Sequence, residues 1–102
     1  MKEMIEKIIQ RSLDEVNDLL ERKIQSPKDD QTPLYGREGV LDSLSLVNLI
    51  VSIEGSIESE IGMSVILANE KAMSQHNSPF ATIGSLTRYV TDIVQHEANH
   101  DS

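Results

Sequence analysis

Apolar residues return every three or four positions at the start of the chain, at Met4/Ile5, Ile8/Ile9, Leu13, Val16 and Leu19/Leu20. That spacing gathers them into one stripe and predicts an amphipathic helix from Glu3 to about Ile24. The pattern then stops. In QSPKDDQTPLYGREG, Pro27, Pro33, Gly36 and Gly39 break helical continuity, while Asp29, Asp30 and Thr32 favour turns. A long connection is predicted, pinned to the core by Leu34 and Tyr35, and connections of this length between helices often carry a function.

A second helix is predicted from Asp42 or Ser43 to about Ile61, because Asp and Ser accept hydrogen bonds from unpaired first-turn amides. Its apolar residues form two stripes. Leu46, Leu49/Ile50, Ile53, Ile57 and Ile61 make one, and Leu44, Val47 and Val51 make another beside it. One stripe suffices for a core. The second is either buried by a helix covered nearly all round or left out as a docking patch, and the pattern alone leaves both open. In GMSVILANEKAMSQHNSPFA, Val65, Ile66 and Leu67 suggest a short third helix before a turn at SQHNSP. A last helix follows, with Thr82 as cap and Ile83, Leu86, Tyr89, Val90, Ile93 and Val94 at helical spacing. HEANHDS, after Gln95, has no apolar residue except Ala98 and reads as a frayed tail. No strand alternation or internal repeat is evident, so the predicted class is all-α: one domain over residues 1–95 and a disordered tail over 96–102.

With 102 residues the chain can bury a modest core but is small for a self-contained enzyme pocket. It has no cysteine, hence no disulfide, thiolate nucleophile or Cys-based metal site. The net charge of −8 argues against nucleic acid, and Tyr35, Phe80 and Tyr89 offer no base-stacking platform. The acidity is also local: from Glu38 to Glu70 there is no Lys or Arg, against Glu38, Asp42, Glu54, Glu58, Glu60 and Glu70. Such a run is usually a solvated face, and it would also steer a basic partner. MKEMIEKIIQR lacks the continuous apolar run of a signal peptide and no stretch reaches bilayer length, so a cytoplasmic protein without stable membrane insertion is expected.

HEANH, His96 to His100, matches the H-E-x-x-H zinc-peptidase pattern. That chemistry also needs a third ligand, a rigid helix and a walled cavity, which a tail with nothing to bury does not promise; no metal ligand is expected. Ser43 lies in GVLDSLSL without a G-x-S-x-G elbow or a preceding strand, so a hydrolytic triad is not expected and no catalytic residue is assigned. A serine at a helix start is most often simply the cap.

GVLDSLSLVNLIVSIE nevertheless resembles the modification site of acyl carrier proteins and related phosphopantetheine-binding carrier domains, in which D-S-L opens the second helix. The first amphipathic helix, the long loop, D-S-L, a short third segment and ATIGSLTRYV, similar to the family's T-V-G-D-L stretch, follow in the family's order over nearly the whole chain. The resemblance implies an acyl-carrier-protein-like four-helix bundle with a short third helix and a long loop between helices 1 and 2. It further implies that a phosphopantetheinyl transferase attaches 4'-phosphopantetheine from coenzyme A to Ser43, with Asp42 and Leu44 in transferase recognition. Partner enzymes that load and transfer acyl groups through basic surfaces would meet Leu44, Val47, Asn48, Val51 and Glu54. On this reading the protein is not an enzyme but a monomeric, stand-alone carrier in a fatty-acyl, lipid or cell-envelope pathway. An aminoacyl or peptidyl carrier is the alternative within the family, and a helical adaptor without a prosthetic group the alternative outside it.

The departures point to a specialised member. Asn48 stands where fatty-acid carriers usually have glutamate, and no acid follows Ser43 until Glu54. Gly55 occupies mid-helix at a cost of up to about 1 kcal/mol relative to Ala. Ser85 replaces a frequent Asp, and the Gly62 to Ala81 segment is longer than its family counterpart.

Overall fold

The structure is a computed structural model that describes residues 2–20, 24, 29–36, 39–68 and 78–100, the last three as backbone. The helices among these residues are α1 (Lys2–Leu19), α2 (Ser43–Ile61) and α3 (Ile83–His100). Among the described residues there are no strands beyond the isolated bridges Pro33–Thr82 and Tyr35–Leu41. The all-α class holds, and among the described residues three helices occur where four were expected. Gly62–Ala68, which includes the predicted helical residues Val65, Ile66 and Leu67, is not helical. Residues 69–77, which complete that predicted element, lie outside the described residues.

The break in helical structure over Gly62–Ala68 begins at the end of α2. Gly62 adopts the left-handed conformation, φ 81°, and its N–H reaches the carbonyls of Ile57 and Glu58, closing the helix. The chain leaves as an extended strap in which Val65 and Leu67 are buried and Ser64 and Ile66 are exposed. Its apolar run V-I-L conceals a strand-like alternation, because Ile66 points away from the core at 79% exposure.

α1 packs against both α2 and α3, burying Ile5, Ile8, Ile9, Leu13 and Val16 as the spacing predicts. It ends at Leu19 instead of near Ile24. The Leu20 N–H bonds back to the Asn17 carbonyl at 3.2 Å, and the Asn17 side-chain oxygen accepts the Ile24 N–H at 2.7 Å. Ile24 is thereby buried from outside the helix, while Leu19, assigned to the stripe by its spacing, is 76% exposed. A polar seam crosses the α1–α2 interface, where the Ser52 hydroxyl lies 3.1 Å from that of buried Ser12 and 3.0 Å from the Glu15 carboxylate. α3 begins where expected. The Thr82 hydroxyl accepts the Ser85 N–H and the Ser85 hydroxyl accepts the Thr82 N–H, both at 3.1 Å, a reciprocal cap. At its other end the helix continues past Gln95 to His100, correcting the expected frayed start of the tail. HEANH contains neither Pro nor Gly to stop it.

The long connection is fastened to the start of α3. Leu34 and Tyr35, both buried, donate their N–H groups to the carbonyls of Ala81 and Phe80 at 2.7 and 3.2 Å. The chain then doubles back so that the Leu41 N–H meets the Leu34 carbonyl at 2.9 Å. This approach requires Gly39, since a Cβ there would collide with the Leu34 carbonyl. Leu41 is buried as a result, and Asp42 emerges at the surface. Among the described residues no helix is long and apolar enough to cross a membrane.

Candidate functional site at the start of α2

Asp42 and Ser43 divide the tasks of the helix start between them. Asp42 is the cap: it is extended, at φ −89° and ψ −177°, and its carboxylate accepts the Ser45 N–H at 2.8 Å. The Leu46 N–H meets the Asp42 carbonyl at 2.9 Å, the first bond of the helical ladder. Ser43 is therefore the first helical residue and not the cap, which removes the simplest structural explanation for a serine here. Its side chain is exposed, and no hydrogen bond to its hydroxyl occurs among the described residues.

The same geometry keeps Asp42 ionised. The Ser45 backbone amide, then the Ser45 hydroxyl, and more weakly the Asp42 and Leu44 amides, hold its carboxyl below the usual aspartate range against a small opposing effect of burial. The positive end of the helix dipole favours an anion at this point.

Beyond Ser43 the second apolar stripe is left outside the core. Leu44 is 71% exposed, Val47 42% and Val51 61%, and Asn48 beside them is exposed as well. Their spacing of three and four sets them in a row along one helix face. Leu46, Leu49, Ile50, Ile53 and Ile57 take the buried face. Between the two readings that the pattern left open, the fold selects the uncovered one. Over residues 39–68 the charged side chains are Asp42, Glu54, Glu58 and Glu60, all acidic. Glu60 forms an ion pair with Arg11 on the surface.

Glu54 has a role that sequence reasoning missed. It lies three residues beyond Val51 in the same row, is half-buried, and its carboxylate accepts the Leu67 N–H at 2.7 Å. From the opposite side the Tyr89 hydroxyl donates to the Leu67 carbonyl at 2.7 Å. Tyr89 is itself braced by an edge-on contact with Phe80, with centroids 5.5 Å apart. The one available signal was an acid in register with an apolar row. At the far end of α3, His96 is exposed and the His100 side chain lies outside the described residues. No group of three or more His, Cys, Asp or Glu placed to hold a metal occurs among the described residues. Compared with family models, curated proteins and solved structures, the chain matches none.

Proposed function

We propose that the protein is a stand-alone acyl carrier, with Ser43 as the attachment point of 4'-phosphopantetheine. The observation that supports this most is the combination at the start of α2: an exposed serine relieved of capping by Asp42, at the head of an exposed apolar row. The residues fit the group. The Ser43 hydroxyl is accessible, has no competing hydrogen bond among the described residues, and lies at a helix N-terminus suited to a phosphodiester anion. Asp42 stays charged beside it and would help the transferase engage the serine. When bound, the group supplies the thiol that this cysteine-free chain lacks, and on it an acyl chain is held as a thioester.

Leu44, Val47, Asn48 and Val51 would then meet partner enzymes, with the acidic surroundings drawing basic surfaces toward Ser43. The chain would perform no catalysis of its own, and a cytoplasmic setting with its coenzyme A supply is consistent with this role. The test is intact mass after incubation with coenzyme A, magnesium and a broad-specificity phosphopantetheinyl transferase, alongside Ser43→Ala. A gain of one phosphopantetheinyl group in the parent alone is expected. No gain by folded protein with several transferases would overturn the carrier and leave the exposed row as the binding face of a helical adaptor.

A further inference from the structure

The strap Gly62–Ala68 is fixed in place but not paired. Val65 and Leu67 are buried in the core, Gly62 bonds back to α2, and Leu67 is held by Glu54 and Tyr89. Between those two points the backbone N–H and C=O groups of Met63, Ser64, Val65 and Ile66 have no hydrogen bond among the described residues. Alternation of buried Val65 and Leu67 with exposed Ser64 and Ile66 gives this stretch the character of a single strand. An unpaired strand is a template for another, and proteins commonly close such edges with charges or proline. From Met63 to Ala68 there is neither, and the most outward side chain is the β-branched Ile66, at 79% exposure.

Beside this edge lies a groove of about 650 Å³ whose other wall is α3. Ser64, Val65 and Ile66 line it from the strap, and Tyr89 and Ile93 supply apolar surface opposite. Asp92 and Glu97 stand on the α3 wall with His96 between them, no Lys or Arg lines the groove, and neither carboxylate has an ion pair among the described residues. A strand on one side and a helix on the other is the setting in which an extended peptide adds to a sheet edge: main-chain bonds give affinity and alternate side chains give specificity. The two acids select a basic peptide. A second copy of this chain, itself at −8, would bring the same acids with its own strap.

We infer that the strap is an acceptor edge for a partner's extended segment in which apolar residues alternate with Lys or Arg. The segment pairs with the backbone of Ser64 and Ile66, rests its apolar residues against Tyr89 and Ile93, and sets its cations against Asp92 and Glu97. Burial of Val65 and Leu67 holds the edge extended beforehand, which lowers the ordering cost of pairing. The site is separate from the α2 face and independent of modification of Ser43.

The test is NMR titration of the full chain with a short synthetic peptide of alternating lysine and valine. One control replaces lysine by glutamate, and another carries N-methyl groups on alternate amides, which keeps the side chains but removes backbone pairing. Every second residue of a strand bonds to a given neighbour, so the Lys/Val peptide is expected to slow hydrogen exchange at the Ser64 and Ile66 amides by about fivefold or more, the scale of one net hydrogen bond. Resonances of Tyr89 and Ile93 should shift with them. Asp92→Asn with Glu97→Gln should weaken binding roughly three- to tenfold, as expected for two exposed charge pairs. Ile66→Pro, which deletes one unpaired N–H at an exposed position, should abolish the protection while helix content is retained. Equal binding of the N-methylated or Glu/Val peptide, shifts confined to the Leu44–Val51 row, or no binding at all would overturn the proposal. Protection of Ser64 and Ile66 that appears with protein concentration alone would overturn it too, by giving the edge to a second copy.

Discussion

Leu49 in α2 and Leu67 in the strap are both fully buried in one core, but different forces hold their backbones. Around Leu49 the amides and carbonyls pair within the helix, sealed by Asp42 at one end and Gly62 at the other. Around Leu67 the pairing comes from Glu54 and Tyr89, two side chains on separate helices. A helix carries its own hydrogen bonds wherever it moves, whereas the strap is satisfied only while α2 and α3 hold their relative places. Equal burial therefore does not mean equal independence.

The largest expected effects come from truncating the two leucines. Leu49→Ala and Leu67→Ala should each cost about 2–5 kcal/mol in chemical denaturation if both fill the core alike. A much smaller cost for Leu67→Ala would show that the strap yields and closes the cavity. Next is the junction of the two regions. Gly62→Ala forces a side chain into the left-handed conformation and should cost about 1–2 kcal/mol, although nothing lies within 4 Å of the added Cβ. A neutral result would mean that the end of α2 shifts to another cap at little cost.

At the other end of α2 the effect is electrostatic and smaller. The folded-state carboxyl of Asp42 lies below its ordinary value, so its stabilisation is present above the ordinary aspartate pKa and lost as pH falls through the lowered one. Asp42→Asn should reduce Tm near neutral pH and flatten the acid limb of the stability profile, without disturbing strap exchange. The smallest change has the opposite sign. Gly55 is exposed, and its Cβ would meet nothing within 4 Å, so Gly55→Ala should stabilise by about 0.5–1 kcal/mol. A loss of stability would mean that α2 needs its glycine for a bend.

Much of the α2 site was legible in the chain because its causes are local. Asp42 caps Ser45 three residues on, and Leu46, Leu49, Ile50, Ile53 and Ile57 repeat at helical spacing. The same locality explains the misreadings. Leu19 and Ile24 were both placed within α1, but the helix ends at Leu19 and the Asn17 side chain holds the Ile24 N–H from beyond its end. Val65, Ile66 and Leu67 form one apolar run to the eye, yet alternate between core and solvent because anchors distant in sequence hold the strap extended.

What the amino-acid order determined alone was the helix starts, the buried stripes of α1 and α2, the placing of Ser43 beside an aspartate at the head of α2, and the acidity around it. Those properties depend on residues within a turn or two, or on composition. Tertiary structure decided which of α2's two apolar faces stayed uncovered, how Leu34 and Tyr35 fastened the long connection to Phe80 and Ala81, and that Glu54 would hold Leu67. Each of these depends on which distant segment arrives alongside, and no periodicity within one helix records its neighbour.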